Sequence, residues 1–185
     1  MRLMVSMLEH ATRPCFHDIS YGQILKLSDM YMKTLYEIGV RPNDRIGILC
    51  SQTSPHQVAM MLAGWRKSAV IVPLPDVPHP EILPLVRPRV VLTPDFQISV
   101  VEEEDPYRSI QTSGGGDRPA FILCDSEPEA VVFTHKDIIH HLNMMKKNKP
   151  KNPCDDDTNI SLPWYHYQGF VDELLFRMTR GSRIG

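Results

Sequence analysis

The sequence predicts an α/β fold with three layers and a mainly parallel central sheet. Short apolar runs that suit buried strands alternate along the chain with segments whose apolar residues recur every three or four positions, as in a helix. Between residues 45 and 74 the order is strand, helix, strand, which favours a right-handed βαβ unit and therefore parallel strands. With 185 residues, 42% of them hydrophobic, the chain can form one well-buried core.

The first helix is predicted near residues 23–38. Ser20 and Gln23 fit a capping box, and Gly39 is a suitable residue for the C-terminal end. The apolar residues between them recur at helical intervals: Ile24, Leu27, Tyr31, Leu35 and Ile38. Residues 1–18 carry only a weak pattern, so we expect a weakly ordered N-terminus there.

The sheet is predicted from four apolar runs that we expect to lie side by side, near residues 45–50, 69–74, 89–93 and 120–124. A second helix is predicted near 55–67, with Ser54 and Pro55 as its start signal. Residues 94–118 are polar and irregular and include a glycine-rich stretch. We therefore expect a flexible surface loop in that region.

The composition excludes several classes of function. The formal net charge of −2 gives no electrostatic reason to expect nucleic acid or an anionic membrane as a partner. No apolar run is long enough to span a membrane, and the N-terminus does not fit a signal peptide, so a cytoplasmic protein is expected. Asp155–Asp157 lacks the further ligands of a metal loop, and no metal site is predicted. The four cysteines have no metal-ligand spacing and are expected to be buried reduced thiols: Cys15, Cys50, Cys124 and Cys154.

The most informative stretch runs from Pro119 to His135. It contains a buried-strand pattern, a polar turn, a second β-branched run and a Thr-His pair that opens a helix. This order resembles the adenylate-forming superfamily, which includes acyl-CoA synthetases, fatty acyl-AMP ligases and nonribosomal-peptide adenylation domains. In that family the turn is a glycine-rich loop that grips the phosphates of ATP. The resemblance implies ATP and Mg as cofactors, and it places Ser126, Glu129 and Thr134 at the positions of the phosphate loop.

The loop in this sequence departs from that pattern. If Ser126 and Pro128 match the first residue and the proline of the family loop, about four glycine- and threonine-type residues are missing, and with them several backbone donors for phosphate. Glu129 stands where the family has lysine, and Ala130 where it has glycine. Because a carboxylate at the lysine position reverses the sign of the contact, the sequence predicts that this chain does not adenylate a substrate.

Four further stretches resemble the same family: Ile19–Ile24, Val40–Ile46, Trp65–Leu74 and Ile160–Phe170. The last is similar to a segment of the fatty-acyl branch that lines the acyl-substrate side, which implies Trp164, His166 and Gly169 as substrate-binding residues. We expect these three residues to border a cavity near the strand ends. The alternative, equally open, is a loop whose aromatic residues cap the core and whose histidine is bonded to the backbone.

The resemblance runs over residues 19–185, which would be the front part of the family's large N-terminal domain. We interpret the chain as a truncated, degenerate acyl-adenylating domain that is inactive alone. The ancestral reaction would join a carboxylate and ATP to give acyl-AMP and pyrophosphate, and no catalytic residue is predicted within the chain. Two alternatives stay open: a non-catalytic module that binds an acyl ligand or a partner protein, and an unrelated small doubly-wound binding domain. The shortened loop favours the module over a working enzyme, and the order of the motifs disfavours the unrelated domain.

Overall fold

A computed structural model of the chain describes residues 2–50, 52–101, 118–124, 130–148 and 160–184. Its helices are α1 (Arg2–Glu9), α2 (Tyr21–Glu37), α3 (Pro55–Arg66), α4 (Ile82–Val86), α5 (His135–Asn148), a π-helix (Gln168–Leu175) and α6 (Phe176–Arg180). Its strands are β1 (Pro14–Phe16), β2 (Ile19–Ser20), β3 (Arg45–Leu49), β4 (Val70–Leu74), β5 (Val90–Leu92), β6 (Ile98–Val100), β7 (Pro119–Cys124) and β8 (Ala130–Thr134).

The central sheet has six strands in the order β6-β5-β3-β4-β7-β8. The four inner strands are parallel, because β3 pairs in parallel with both β4 and β5, and β4 pairs in parallel with β7. The two outer strands, β6 and β8, run antiparallel to their neighbours. The predictions of a mainly parallel sheet and of four apolar runs sharing it are confirmed.

The sheet has a hydrophobic cluster on each face. Alternate residues of a strand point to opposite faces, so Ile71 packs on the side of α2 and α3, while Val70 and Val72 pack on the other side. The helix α3 lies close against the sheet, since a Cβ atom at Gly64 would meet the Cδ1 atom of Ile71 at 2.7 Å. On the opposite face α4 supplies buried apolar side chains. These layers form the α/β arrangement that the sequence predicts.

Both predicted helices begin with a capping box. The Oγ atom of Ser20 accepts from the backbone N–H of Gln23 at 3.3 Å, and the Gln23 side chain accepts from the backbone N–H of Ser20 at 2.7 Å. Ser54 and Gln57 repeat the arrangement at the start of α3. The reciprocal bonds satisfy backbone donors that the first turn of a helix leaves without partners, which is why this pattern fixes where a helix begins.

Within residues 1–18, for which the sequence predicts weak order, the structure places regular elements. This region contains α1 and β1, and Met7 and Cys15 are fully buried. The Ser6 hydroxyl donates to the Thr179 carbonyl at 2.8 Å, and the Ile184 amide donates to the Cys15 carbonyl at 2.6 Å. The partners of this region are distant in sequence, so its order leaves little trace in local periodicity.

The expected flexible surface loop over residues 94–118 is described by the structure only in part. Residues 98–100 form the edge strand β6, which pairs antiparallel with β5. Residues 102–117, with the glycine-rich stretch, lie outside the described residues. A three-residue edge strand with one half-buried and two exposed positions is too short to produce a readable alternation.

One strand of the sheet interior contains a proline. The Val70 amide donates to the Asp44 carbonyl and the Leu74 carbonyl accepts from the Cys50 amide, so these two residues of β4 turn their peptide groups toward the β3 side. The intervening Pro73 therefore faces β7, and it has no N–H to donate. Proline is rare inside sheets for this reason, and β4 and β7 share a single register pair, Ile71 with Phe121.

Three cysteines fall within the described residues. Cys15, Cys50 and Cys124 are buried and free, as expected from their spacing, and Cys154 lies outside those residues. Burial raises the pKa of the Cys15 thiol to about 12. In the parts of the chain that the structure describes, no helix is both long and apolar enough to cross a membrane.

Candidate functional site

The predicted phosphate loop joins β7 to β8 at the edge of the sheet. The two strands are paired up to Cys124 and Ala130, so the connection between them consists of residues 125–129. Ser126 and Glu129 belong to this connection and lie outside the described residues. The loop follows the carboxyl end of a parallel strand, which is where open α/β sheets bind their ligands.

The described residues that flank this connection do not fit ATP. On one side Leu123 and Cys124 are buried, and on the other Val131 and Val132 are exposed apolar side chains. Phosphate binding requires clustered backbone donors or cationic groups, and these four residues bring no charged or polar side chain to the loop. Nor does any group of three or more His, Cys, Asp or Glu residues in the described ranges have the arrangement to hold Mg.

Thr134 lies at the far end of β8, away from this loop. It pairs with Pro119, the first residue of β7, and is separated from Ala130 by roughly 13 Å of extended chain. Its hydroxyl donates to the Asp137 carboxylate at 2.7 Å and accepts from the Asp137 amide at 3.2 Å. The Thr134 hydroxyl and the Thr134 amide both donate to the Asp137 carboxylate, which holds the Asp137 pKa below its usual value, and the reciprocal bonds begin α5. The structure thus places Thr134 at the cap of α5, and its role at a phosphate loop stays a prediction.

The segment 160–170, which contains the predicted acyl-side residues, packs against the carboxyl end of β3. The Trp164 indole N–H donates to the Thr53 hydroxyl at 2.7 Å, and the ring lies 6.2 Å from that of Phe170. Trp164 has no accessible surface and belongs to the main core. Because a side chain with no accessible surface borders no water-sized cavity, the expectation that Trp164 lines one is wrong.

Gly169 lies in the first turn of the π-helix and packs against the tight turn that contains Pro163 and His166. The His166 amide donates to the Pro163 carbonyl at 3.1 Å, and the His166 carbonyl accepts from the Phe170 amide at 2.9 Å. A Cβ atom at Gly169 would lie 2.3 Å from the carbonyl oxygen of Pro163, so the turn requires glycine. His166 is exposed and Gly169 is buried. This turn accounts for the Pro163, His166 and Gly169 spacing, while substrate binding by these residues stays a prediction.

Two carboxylates of the π-helix secure its surroundings. Glu173 accepts from the Ser161 amide at 2.6 Å and from the Ser161 hydroxyl at 2.7 Å. Asp172 contacts the Nε2 atom of His141 at 2.6 Å, and the His141 ring stands edge-on to Tyr167 at 5.4 Å. Burial, followed by the charge of Asp172, raises the Tyr167 pKa. Sequence reasoning missed this cluster because its members are far apart along the chain.

A cavity of about 520 Å³ lies on the helical side of the sheet, and its lining side chains come mainly from α1, α3 and α5. Apolar residues dominate the lining: Leu3, Met4, Met32, Leu62, Ile138 and Leu142. None of Trp164, His166 and Gly169 is among the lining residues. Sequence reasoning missed this cavity as well, although the helical spacing of Leu3, Met4 and Met7 was a signal for its α1 wall.

No protein-family model matches the sequence, and no curated protein matches it. Solved structures match the fold. IdnL1 is similar with a TM-score of 0.77 and 17% identity, over 98% of this chain and 42% of that one. A fatty acid AMP ligase from Legionella pneumophila is similar with a TM-score of 0.72 and 19% identity, over 98% of this chain and 38% of the ligase.

The chain has the fold of the adenylate-forming enzymes. A third similar structure, MatB from Rhodopseudomonas palustris, has a TM-score of 0.71 and 18% identity, over 100% of this chain and 44% of MatB. The chain therefore spans about two fifths of the length of the adenylate-forming enzymes that it matches. This fold match also argues against an unrelated doubly-wound domain.

Proposed function

We propose that this chain carries a degenerate acyl-adenylating domain, matching about two fifths of the length of its structural neighbours, that does not form acyl-adenylates by itself. The observation that carries the proposal is the pairing of Cys124 with Ala130, which leaves only residues 125–129 for a phosphate loop. The fold supports an ancestral reaction of carboxylate plus ATP giving acyl-AMP and pyrophosphate. MatB, one of the structural neighbours, was solved with ATP bound. ATP and Mg are accordingly the cofactors of the ancestral reaction.

The proposed inactivity has a physical reason. Nucleotidyl transfer depends mainly on positioning the phosphates and stabilising their charge. Losing one preorganised donor in an anion-binding site costs about 2.7–4 kcal/mol, and the short connection lacks several. Glu129 adds a negative charge next to the position of a negatively charged ligand. These losses together reduce turnover below detection.

The direct test is pyrophosphate exchange with a panel of fatty, aryl and amino acids, together with calorimetric titration of MgATP. We expect no exchange and no MgATP binding by the unmodified chain. A repaired variant, E129K with Gly-Thr-Thr-Gly inserted after Ser126, should bind MgATP measurably, since charge-assisted bonds to phosphate return. E129Q without the insertion is the matched control, and it should bind MgATP much more weakly than the repaired variant. Exchange by the unmodified chain would overturn the proposal, as would a folded repaired variant with no gain.

A second function, a non-catalytic module that binds a ligand, is favoured by a separate observation. The cavity beside α1 and α5 is well formed and largely apolar, and its volume falls within the range of about 300–1,000 Å³ that is typical of small-molecule sites. Ligand binding there requires no phosphate loop. The two functions are therefore compatible in one chain.

A further inference from the structure

The cavity on the helical side of the sheet is separate from the sheet edge where the β7–β8 connection and the 160–170 segment lie. Its walls come from α1, α2, α3, α5 and α6, and its volume is about 520 Å³. An apolar cavity with a few polar groups is the usual form of a small-molecule site. The chemistry of its polar groups decides which class of ligand it suits.

Most polar groups of the lining are already engaged. The Ser6 and Thr179 hydroxyls donate to the backbone carbonyls of Thr179 and Phe176, each at 2.8 Å. The Trp65 indole N–H donates to the Ala120 carbonyl at 2.7 Å, so Trp65 offers the cavity its ring rather than its donor. Arg66 is paired with Asp29 at 2.5 Å.

His135 contributes no positive charge to the cavity at neutral pH. Its ring stands edge-on to Trp65 at 5.7 Å, and burial, followed by nearby positive charge including that of Arg118, lowers its pKa. The neutral imidazole therefore extends the aromatic surface of the wall.

Two lining groups keep their capacity to bind a ligand. Asn143 and Lys146 are exposed residues of α5 that line the cavity, and no described residue forms a side-chain hydrogen bond or an ion pair with either. They are three positions apart, so they occupy neighbouring places on one face of the helix. Together they offer an amide N–H₂ and an ammonium group at the rim of an apolar space.

We propose that this cavity binds an amphiphile with one alkyl chain and an anionic head. The chain lies along the apolar wall formed by residues such as Leu3, Leu62 and Leu142, and the head accepts hydrogen bonds from Asn143 and Lys146. The head chemistry fits a carboxylate or a phosphate monoester, since both are anionic acceptors. This site is independent of the proposed loss of adenylation, because it shares no residue with the β7–β8 connection.

The test is calorimetric titration with dodecanoate, dodecyl phosphate and dodecanol, each below its aggregation limit. We expect dodecanoate and dodecyl phosphate to bind and dodecanol to bind about fivefold more weakly, because it lacks the charge that Lys146 meets. Preference between the two anions identifies the head. Shortening the carboxylate should weaken binding about fourfold for each methylene removed. Equal affinity for all three ligands, or no dependence on chain length, would overturn the assignment.

Matched variants locate the site. K146Q should weaken dodecanoate binding about fivefold, whereas K147Q, the same change on a neighbouring exposed lysine outside the lining, should leave it unchanged. I139W places a bulky ring in the lining and should abolish binding, whereas M144W, on an exposed position of the same helix outside the lining, should not. All four variants are checked by thermal unfolding. Binding by a folded I139W protein at the original affinity would show that the cavity is not the site.

Pyrophosphate exchange is measured on the same samples. Dodecanoate binding without exchange supports both proposals. Exchange together with binding overturns only the inactivity, and absence of binding by the unmodified folded chain overturns only this inference.

Discussion

At Gly169 the absence of a side chain allows the start of the π-helix to pass over the backbone of Leu162 and Pro163. A Cβ atom there would lie 2.3 Å and 2.5 Å from two carbonyl oxygens, which cannot move aside as a side chain can. We expect G169A to lower the free energy of unfolding by about 1–3 kcal/mol, the usual cost of overpacking. Urea unfolding followed by circular dichroism measures the change.

Gly64 provides the comparison for that substitution. Its added Cβ would meet the ends of two side chains, Ile71 Cδ1 at 2.7 Å and Ile46 Cδ1 at 3.0 Å. Both groups can change rotamer, and alanine is a better helix former than glycine. We therefore expect G64A to lower the free energy of unfolding by less than G169A does. The reverse order would contradict the structure of the turn.

His135 links stability to pH. Its folded-state pKa lies below the ordinary value of 6.5, mainly through burial. The folded state therefore favours the neutral imidazole, which stabilises the fold at pH values above the histidine pKa of the unfolded state. This contribution is lost as the pH falls through the pKa of the folded state. We expect H135Q to lose less thermal stability than the unmodified chain between about pH 7.5 and about pH 5. H140Q, an exposed substitution on the same helix, serves as the control and should behave as the unmodified chain does.

The segment 160–170 shows, at the scale of single residues, what a local sequence pattern can and cannot predict. The pattern identified Trp164, His166 and Gly169 as a set, and the structure explains the set by a turn and a core contact. Sequence reasoning could not separate those roles from ligand binding, because a buried tryptophan and a pocket tryptophan carry the same residue type. Only the bond from Trp164 to Thr53, distant along the chain, distinguishes them.

At the scale of elements, the pairing between β4 and β7 lacks one backbone hydrogen bond, because Pro73 faces β7 and has no N–H to donate. We expect amide hydrogen exchange to be faster in β7 than in β3, which has parallel neighbours on both sides. P73V restores a donor for a β7 carbonyl, which should strengthen the β4–β7 pairing as a whole and so slow opening and amide exchange in β7 while leaving β6 unchanged. Mass-spectrometric exchange on peptic fragments measures both strands. Equal protection of β7 and β3 in the unmodified chain would contradict this account.

Elements with local signals were predicted well, and elements that depend on distant partners were not. The capping boxes at Ser20 and Ser54 and the runs of β3, β4, β5 and β7 lie wholly within short windows of sequence. In contrast, α1 and β1 contact residues near position 180, far along the chain, and β6 is too short to produce a readable alternation. Local periodicity carries no record of such distant partners, so α1 and β1 could not be predicted from residues 1–18 alone.

At the scale of the whole molecule, the order of the motifs along the chain predicted the fold, and the solved structures confirm it. The position of the candidate phosphate connection was also predictable, because the strand patterns on both sides of it are strong. The cavity was not predictable, because its walls join α1 to α5 and α6, which lie more than a hundred residues further along the chain. A space between such distant segments has no signature in any single window of sequence.

That joining of distant segments has a consequence for how the protein is made. The Tyr21 hydroxyl donates to the Ser182 carbonyl, 161 residues further along the chain, and the Ile184 amide donates to the Cys15 carbonyl, so these early residues need partners that are synthesised much later. At about 5–20 residues per second, a ribosome needs roughly 8–30 s to extend the chain from one partner to the other. During that interval the residues of α1 that pack on α6 lack those neighbours. The packing of α1 is therefore expected to be completed only after residues 176–184 have been synthesised, and not as the chain grows.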